Sequence, residues 1–394
     1  MILNNCRVCK STKLKSVISL LNQPLANNLC DKPDENIKLY PLDLMRCEIC
    51  YNCQLSIAVD NKKLFSKYFY KSSISHDLKK HFDHACKKYI KKFNLKKNSY
   101  IMDIGSNDGV GLIPFKKRKY LNLFGVEPAT NLCNLTRNLK IKTYNSFLNS
   151  KIAKKNLKKF DLITASNVFA HVNDIHSLTK NIFSILKDDG AFILEVQYLL
   201  NMVKDGSFDN IYHEHVNYWS LTTLIYFFKK NNATVFDAEL IETHGGSIRV
   251  FVKNDLNNKY KIERNVKNIL NKEAINNIDN IKFFKDFKYK ITNRKISIKK
   301  ILLSYQKKNK TIVGYGAPAK ATTLINYFNI KKYISYIIDD NDLKNKKFIP
   351  NTSIQILSNP KNSKIDLILV FAWNYFKLIK KNNKKLSKKF ISIF

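Results

Sequence analysis

Six of the eight cysteines lie in the first 53 residues, at positions 6, 9, 30, 47, 50 and 53. Two pairs, Cys6-x-x-Cys9 and Cys47-x-x-Cys50, form knuckles about forty residues apart. A segment this short cannot build a sufficient core from apolar side chains alone. In a reducing compartment, paired knuckles at this spacing hold a tetrahedral zinc more often than they form disulfides. The chain is therefore expected to open with a zinc unit held by four thiolates. Cys53 competes with Cys50 for the fourth position, and Cys30 reads as a small buried hydrophobe.

The whole chain has 394 residues, roughly two to three usual domains, so two further units are expected behind the first. A hydrophobic content of 44% and an aromatic content of 12% exclude a disordered or collagen-like chain. No window approaches a membrane span, and MILNNCRVCK lacks the basic start and apolar core of a signal peptide, so a soluble, cytoplasmic protein without a membrane partner is expected. The formal charge of +38 taken alone suggests a polyanionic partner. However, only 7 of the 69 cations are Arg, and the Lys are scattered beside Asn and Ile, whereas recognition of phosphates and bases favours clustered Arg forks interleaved with aromatics. Nucleic acid is thus disfavoured, and a phosphate-bearing small substrate fits the charge equally well.

Residues 62 to 98 read as helical, with His76, His81 and His84 on a solvated face. Next, SYIMDIGSNDGVGLIPF reads as strand, glycine turn and helix, and further strands follow in NLFGVEP, FDLITASNVFAHV, DGAFILEVQYL and TVFDAELI with helices between them. That alternation gives an α/β fold with a doubly wound parallel sheet, whose ligands bind at the strand C-termini. The loop Asp103-x-Gly105-x-Asn107-Asp108-Gly109 carries acids where a pyrophosphate would need bare amides, so it suits a cationic or zwitterionic ligand. S-adenosylmethionine meets that requirement, with Glu127 at the end of the second strand as acceptor for its ribose hydroxyls.

Residues 208 to 219, FDNIYHEHVNYW, gather Tyr212, His213, Glu214 and His215. A histidine titrating near neutrality beside a Tyr and a Glu reads as a general base; a metal site would need a distant third ligand such as His171. A second strand-turn-helix unit begins at KTIVGYGAPAKATTLINYF. Its Gly314-x-Gly316-x-x-Ala319 is similar to a dinucleotide fingerprint, with Lys320 near phosphate and Asp339 or Asp340 as ribose acceptor. Two competing functions follow from these features: a nicotinamide-dependent sugar-nucleotide oxidoreductase, and a basic zinc-containing nucleic-acid-binding protein.

The order of motifs resembles, nearly end to end, the sugar C-methyltransferases that act on nucleotide-linked deoxysugars. The matching segments are CRVC with LDLMRCEICYNCQL, MDIGSNDG, GVEPATNL, ASNVFAHVND, FDNIYHEHVNYWSL, THGGSIRV, GYGAPAKATTL and LVFAWN. The resemblance implies a zinc-binding domain over 1–62, a class I, Rossmann-like methyltransferase domain over 63–255 and a second Rossmann-like domain over 256–394, with a sugar nucleotide held between the last two. It implies that Cys6, Cys9, Cys47 and Cys50 hold a structural zinc. It further implies methyl transfer to C-3 of a nucleotide-linked 4-keto sugar, with His215 as base and Tyr212, Glu214 and His171 supporting it or holding the enolate. Tyr70, or its neighbour Tyr68, would cover the cofactor, which Asp103, Gly105, Asn107, Asp108, Gly109, Glu127, Pro128 and Asn167 would bind. The substrate would meet His244, Gly245, Gly246, Ser247, Arg249, Gly316 and Lys320. A monomer is the default expectation for the assembly, and a surface polysaccharide is one destination for such a sugar.

Overall fold

Apolar runs broken by turns fold here into three sheets. The computed structural model describes residues 3–33, 36–60, 64, 71–358, 360 and 365–394, and the His244 side chain, Tyr68 and Tyr70 lie outside that description. The first strands are β1 (Leu14–Gln23), β2 (Tyr40–Cys47) and β3 (Cys53–Leu55). Next come β4 (Tyr100–Ile104), β5 (Asn122–Val126), β6 (Lys142–Tyr144), β7 (Phe160–Ser166), β8 (Leu186–Gln197), β9 (Asn217–Tyr218), β10 (Ala233–Ile241) and β11 (Ser247–Asn254). The last are β12 (Ile312–Tyr315), β13 (Tyr336–Ile338), β14 (Gln355–Leu357), β15 (Leu367–Val370) and β16 (Phe390–Ser392).

The central sheet runs β10-β11-β8-β7-β4-β5-β6, and β4 to β8 are mutually parallel. Ile101, Met102, Asp103 and Ile104 are all buried, as expected for a parallel strand covered on both faces. The TVFDAELI strand departs from the parallel pattern. Strand β10 pairs antiparallel with β11, which pairs antiparallel with β8. The physical reason is the short turn at 242–246, which can join a hairpin, whereas a parallel return needs a crossover of about a dozen residues. The C-terminal sheet, β14-β13-β12-β15-β16, is parallel throughout. In both parallel sheets the strand order reverses beside the first strand, β4 or β12, and a crevice opens at each reversal.

The helix His76–Phe93 covers one face of the central sheet. Its start is capped by Ser75, whose hydroxyl accepts from Leu78 N at 3.3 Å, and its apolar stripe comprises Leu78, Ala85, Cys86, Tyr89 and Phe93. His76 and His84 face outward as expected, but His81 turns in to meet Glu195 at 2.8 Å. The Lys/Asn-rich stretch forms two helices, Arg264–Ile275 and Phe283–Gln306.

The N-terminal sheet has the order β1-β2-β3-β9, so its fourth strand comes from residues 217–218, more than 150 positions away. Its knuckles bring Cys6, Cys9, Cys47 and Cys50 together with all four Sγ atoms within 4.8 Å of one another, and Cys6–Cys50 and Cys9–Cys47 at 3.5 Å. Four thiolates about 2.3 Å from a tetrahedral zinc lie roughly 3.8 Å apart, so the donor set fits that metal. Cys53, fully buried with its thiol pushed up to about 12 by that burial, is not part of the cluster, and Cys30 exchanges backbone hydrogen bonds with Phe348 instead. Binding a structural zinc releases on the order of 10 kcal/mol or more, ample to offset the small core of this sheet. The purified protein should carry about one zinc per chain by atomic emission. Cys50→Ser should lose the metal and lower the melting temperature, while Cys53→Ser should keep it; equal metal loss from both would refute the ligand set.

Candidate active site

A cleft of about 870 Å³ joins the three sheets at the C-terminal ends of β4, β5 and β12. Its floor is the loop after β4. Gly105, at φ +68°, donates its N–H to Val126 O at 2.8 Å, and a Cβ there would come within 2.6 Å of Val168. Only glycine allows this turn to lie so close to β5 and the 167–172 loop. Asn107 N and Ala129 N donate to the two oxygens of Glu127, at 2.9 and 2.8 Å, and burial raises that carboxyl above its usual range. Glu127 is thereby fixed at the end of β5 with further lone pairs facing the cleft beside Pro128. Asn107 also accepts from Ser72 N, and Asp108 from Ser73 N, at 3.0 and 3.1 Å, which seats the 72–74 turn over the loop. Asn167, at φ +57°, lines the wall.

The opposite wall is the segment after the helix Leu199–Asp205. His171, Tyr212, Glu214 and His215 all line the cleft. His215 Nδ1 lies 2.9 Å from Asn210 O, which can only accept, so Nδ1 carries the proton and Nε2 is the basic nitrogen. Tyr212 O–H donates to that Nε2 at 2.9 Å. The His171 ring meets His215 edge-on at 4.9 Å, and burial lowers its pKa to about 4, so at neutral pH His171 is uncharged beside the base. His213 lies outside the group: it is buried on Tyr40 and bonded to Pro41 O.

The third wall belongs to the C-terminal sheet. Gly316 and Lys320 line the cleft together with Asp339 and Lys344. Asp339 accepts from Ala317 N at 2.6 Å and from Asn341 N at 3.0 Å, and pairs with Lys344 at 3.1 Å. Two residues not expected at the site also reach the cleft. Asn27 donates to Glu214 at 2.5 Å from the zinc unit, and Asn374 accepts from Lys320 at 3.1 Å. Asn27 lies in the unpatterned run LNQPLANN and had no spacing signal; Asn374 ends LVFAWN, which did.

Several expected contacts are not among the residues lining the cleft. Gly109, at φ +82°, packs on Thr136 and Leu139, and Asp108 is buried under the 72–74 turn. Gly245 and Gly246 form a turn against Trp373 and Asn201, His244 contributes its backbone there, and Ser247 bonds back to Thr243 O. Arg249 is 5% exposed and bridges Glu195 at 2.6 Å and Glu239, beneath the floor. Burial would raise Glu195, but His81 and Arg249 hold it down at about 2.

Asp103, at the end of β4, is held by Thr164 Oγ1 at 2.7 Å, yet burial pushes its carboxyl up to about 7. In the unfolded chain this group ionises near 3.8, so between that pH and 7 the folded state binds the extra proton. Its contribution to stability is full below the unfolded value and is lost as pH rises through 7. Asp103→Asn should therefore gain melting temperature relative to the parent as pH is raised from about 4 to about 8, with both measured without ligand. A difference that stays flat across that range would mean the folded carboxyl is not raised.

Family models match nearly the whole length in three blocks. They are "Putative zinc binding domain" over residues 6–65, "Methyltransferase domain" over 78–238 and "C-methyltransferase C-terminal domain" over 242–393. A curated relative, C-methyltransferase NovU of Streptomyces niveus, is 28% identical over 391 residues, covering 97% of this chain and 93% of the relative. Among solved structures, magnesium protoporphyrin IX methyltransferase (ChlM) from Synechocystis PCC 6803 is 13% identical, with a TM-score of 0.35, over 45% of this chain and 82% of that one. An S-adenosylmethionine-dependent methyltransferase from Clostridium acetobutylicum ATCC 824 is 15% identical, with a TM-score of 0.37, over 44% and 91%. No helix among the described residues is long and apolar enough to cross a membrane. With a methyltransferase block and a C-methyltransferase block following a unit whose four thiols converge, the chain belongs to the S-adenosylmethionine-dependent C-methyltransferases that carry an N-terminal zinc-binding domain.

Proposed function

We propose that this C-methyltransferase acts at C-3 of a nucleotide-linked 4-keto sugar, with His215 as the base. The observation that carries the reading is the oriented Tyr212–His215 pair in the same cleft as the glycine loop and Glu127. The bound cofactor supplies an electrophilic methyl group on sulfonium. Asp103, Gly105, Asn107, Glu127, Pro128 and Asn167 are its binding residues, Glu127 taking the ribose hydroxyls and the acidic loop facing the positive end. Asp108 and Gly109 support the loop from behind.

A ketone at C-4 acidifies the C-3 hydrogen, and neutral His215 takes that proton on Nε2. For Nε2 to be open to C-3, the Tyr212 hydroxyl turns from that nitrogen to the C-4 oxygen, where it donates to the enolate as it forms. His171 stays neutral, so it does not repel the imidazolium, and Glu214, held by Asn27, faces the same space. The carbanion is left facing the cofactor side of the cleft, where orientation supplies much of the remaining acceleration. The basic Lys320 and Lys344, with Gly316 at the turn after β12, suit the diphosphate of a nucleotide, which supports a sugar nucleotide as the substrate.

Glu127→Ala should weaken S-adenosylmethionine binding by about 1.5 to 3 kcal/mol in isothermal titration, the scale of a hydrogen bond to a charged group; unchanged affinity would move the cofactor elsewhere. His215→Asn should leave that affinity intact while slowing both methyl transfer and solvent-deuterium exchange at C-3 by roughly 10²- to 10⁴-fold. Exchange that survives in His215→Asn but disappears in His213→Asn would reverse the assignment.

A further inference from the structure

The base is oriented by a backbone carbonyl, and something must hold that carbonyl. Asn210 O accepts from His215 Nδ1, and Asn210 ends a short 3-10 turn, Phe208–Asn210, that is bonded to the preceding helix through Ser207 and is also held by the C-terminal unit, through the helix Ala319–Phe328 and Trp373. Phe208 packs on Phe328 and Tyr327, with ring centroids 5.0 and 5.4 Å away. The residue between, Asp209, is 1% exposed, and its Oδ2 accepts from the indole N–H of Trp373 at 2.8 Å. Its other oxygen, Oδ1, has no hydrogen-bond partner among the described residues. A buried carboxylate with one donor is costly, and losing that donor would make it seek another by moving the turn.

Trp373 is itself set by its surroundings. Its ring lies against Phe394 with centroids 5.2 Å apart and under Lys320 Nζ at 4.2 Å, and it leaves no room for a Cβ at Gly245. We infer that Trp373 is a positioning residue for the base: its N–H fixes Asp209, and through that turn the Asn210 carbonyl that keeps His215 in the Nδ1–H tautomer. The C-terminal sheet thus orients the general base across the domain boundary, at a residue that also touches the cleft lysine. This inference rests on His215 being the base only for its catalytic meaning; the geometry it asserts is testable without substrate.

The test is ¹⁵N NMR of the full-length zinc-bound protein labelled at histidine, with the His215 signals identified from His215→Asn. In the parent, His215 should be in the Nδ1–H form. Trp373→Phe, which keeps a ring but removes the donor, should shift His215 to a mixture of tautomers while S-adenosylmethionine affinity holds. Adding Asp209→Asn to Trp373→Phe removes the unpaired charge and should return His215 to the Nδ1–H form. An unchanged tautomer in Trp373→Phe overturns the inference, as does a double variant no better than Trp373→Phe alone. Failure of the base assignment would appear separately, as C-3 exchange that survives in His215→Asn.

Discussion

The cleft depends on a short stretch of backbone pairing in which Cys53 and Gln54 of β3 meet Tyr218 and Asn217 of β9. Through it, the segment carrying Tyr212, Glu214 and His215 becomes an edge of the zinc sheet. Beside it, Arg7 sits between two of the clustered thiols in sequence and donates to Leu55 O, Ile57 O and Asn173 Oδ1 at 2.7 to 2.9 Å. His176 bonds to Val8 O in the same knuckle. Asn173 and His176 directly follow the turn that carries His171, and Asn217 Nδ2 reaches Val172 O beside it. Each of these groups is buried or half-buried, so each would be costly to leave unpaired. The metal cluster therefore holds the two segments of the opposite wall in one register, although it contributes no atom to the cleft.

The C-terminal sheet is joined to the same scaffold through residues 26–31. Thr322 Oγ1 donates to Ala26 O, and Cys30 and Phe348 exchange backbone bonds at 3.0 and 2.8 Å. One continuous apolar cluster runs from Val8 and Leu42 through Trp219 and Phe208 to Phe328 and Phe371, so the three sheets share a core rather than meeting as loose units. Domain closure about such a junction would have to break core packing. A cleft whose walls come from three sheets can then keep its geometry to within the tolerance that chemistry demands.

Charge is distributed along the cleft by the same architecture. Asp103 and Glu127, both raised by burial, stand at one end, and Lys320 and Lys344 stand at the other. Between them His171 is kept neutral. Beneath the floor, ionised Glu195 pairs with Arg249 and meets the His81 ring at 2.8 Å, which explains a buried arginine on β11 without assigning it to a ligand. The formal excess of positive charge is carried largely by exposed lysines and says little about this arrangement.

What the amino-acid order determined by itself was everything whose physics is local. Two knuckles place thiols a turn apart, glycine permits the +68° φ that brings the loop after β4 against β5, and Glu127 follows its strand directly. The cluster Tyr212, Glu214 and His215 was legible because its members are within four residues, and the family motifs added which of the histidines to favour. Tertiary structure alone decided the rest. That β9 joins the zinc sheet, that His81 turns inward to Glu195, that Asn27 reaches Glu214, and that Trp373 reaches Asp209 all depend on partners 100 to 190 positions apart. Arg249 shows the same limit from the other side. In THGGSIRV it looks like a substrate contact, but its place on β11 puts it opposite Glu195 of β8, and a buried carboxylate takes up a buried guanidinium long before a ligand arrives.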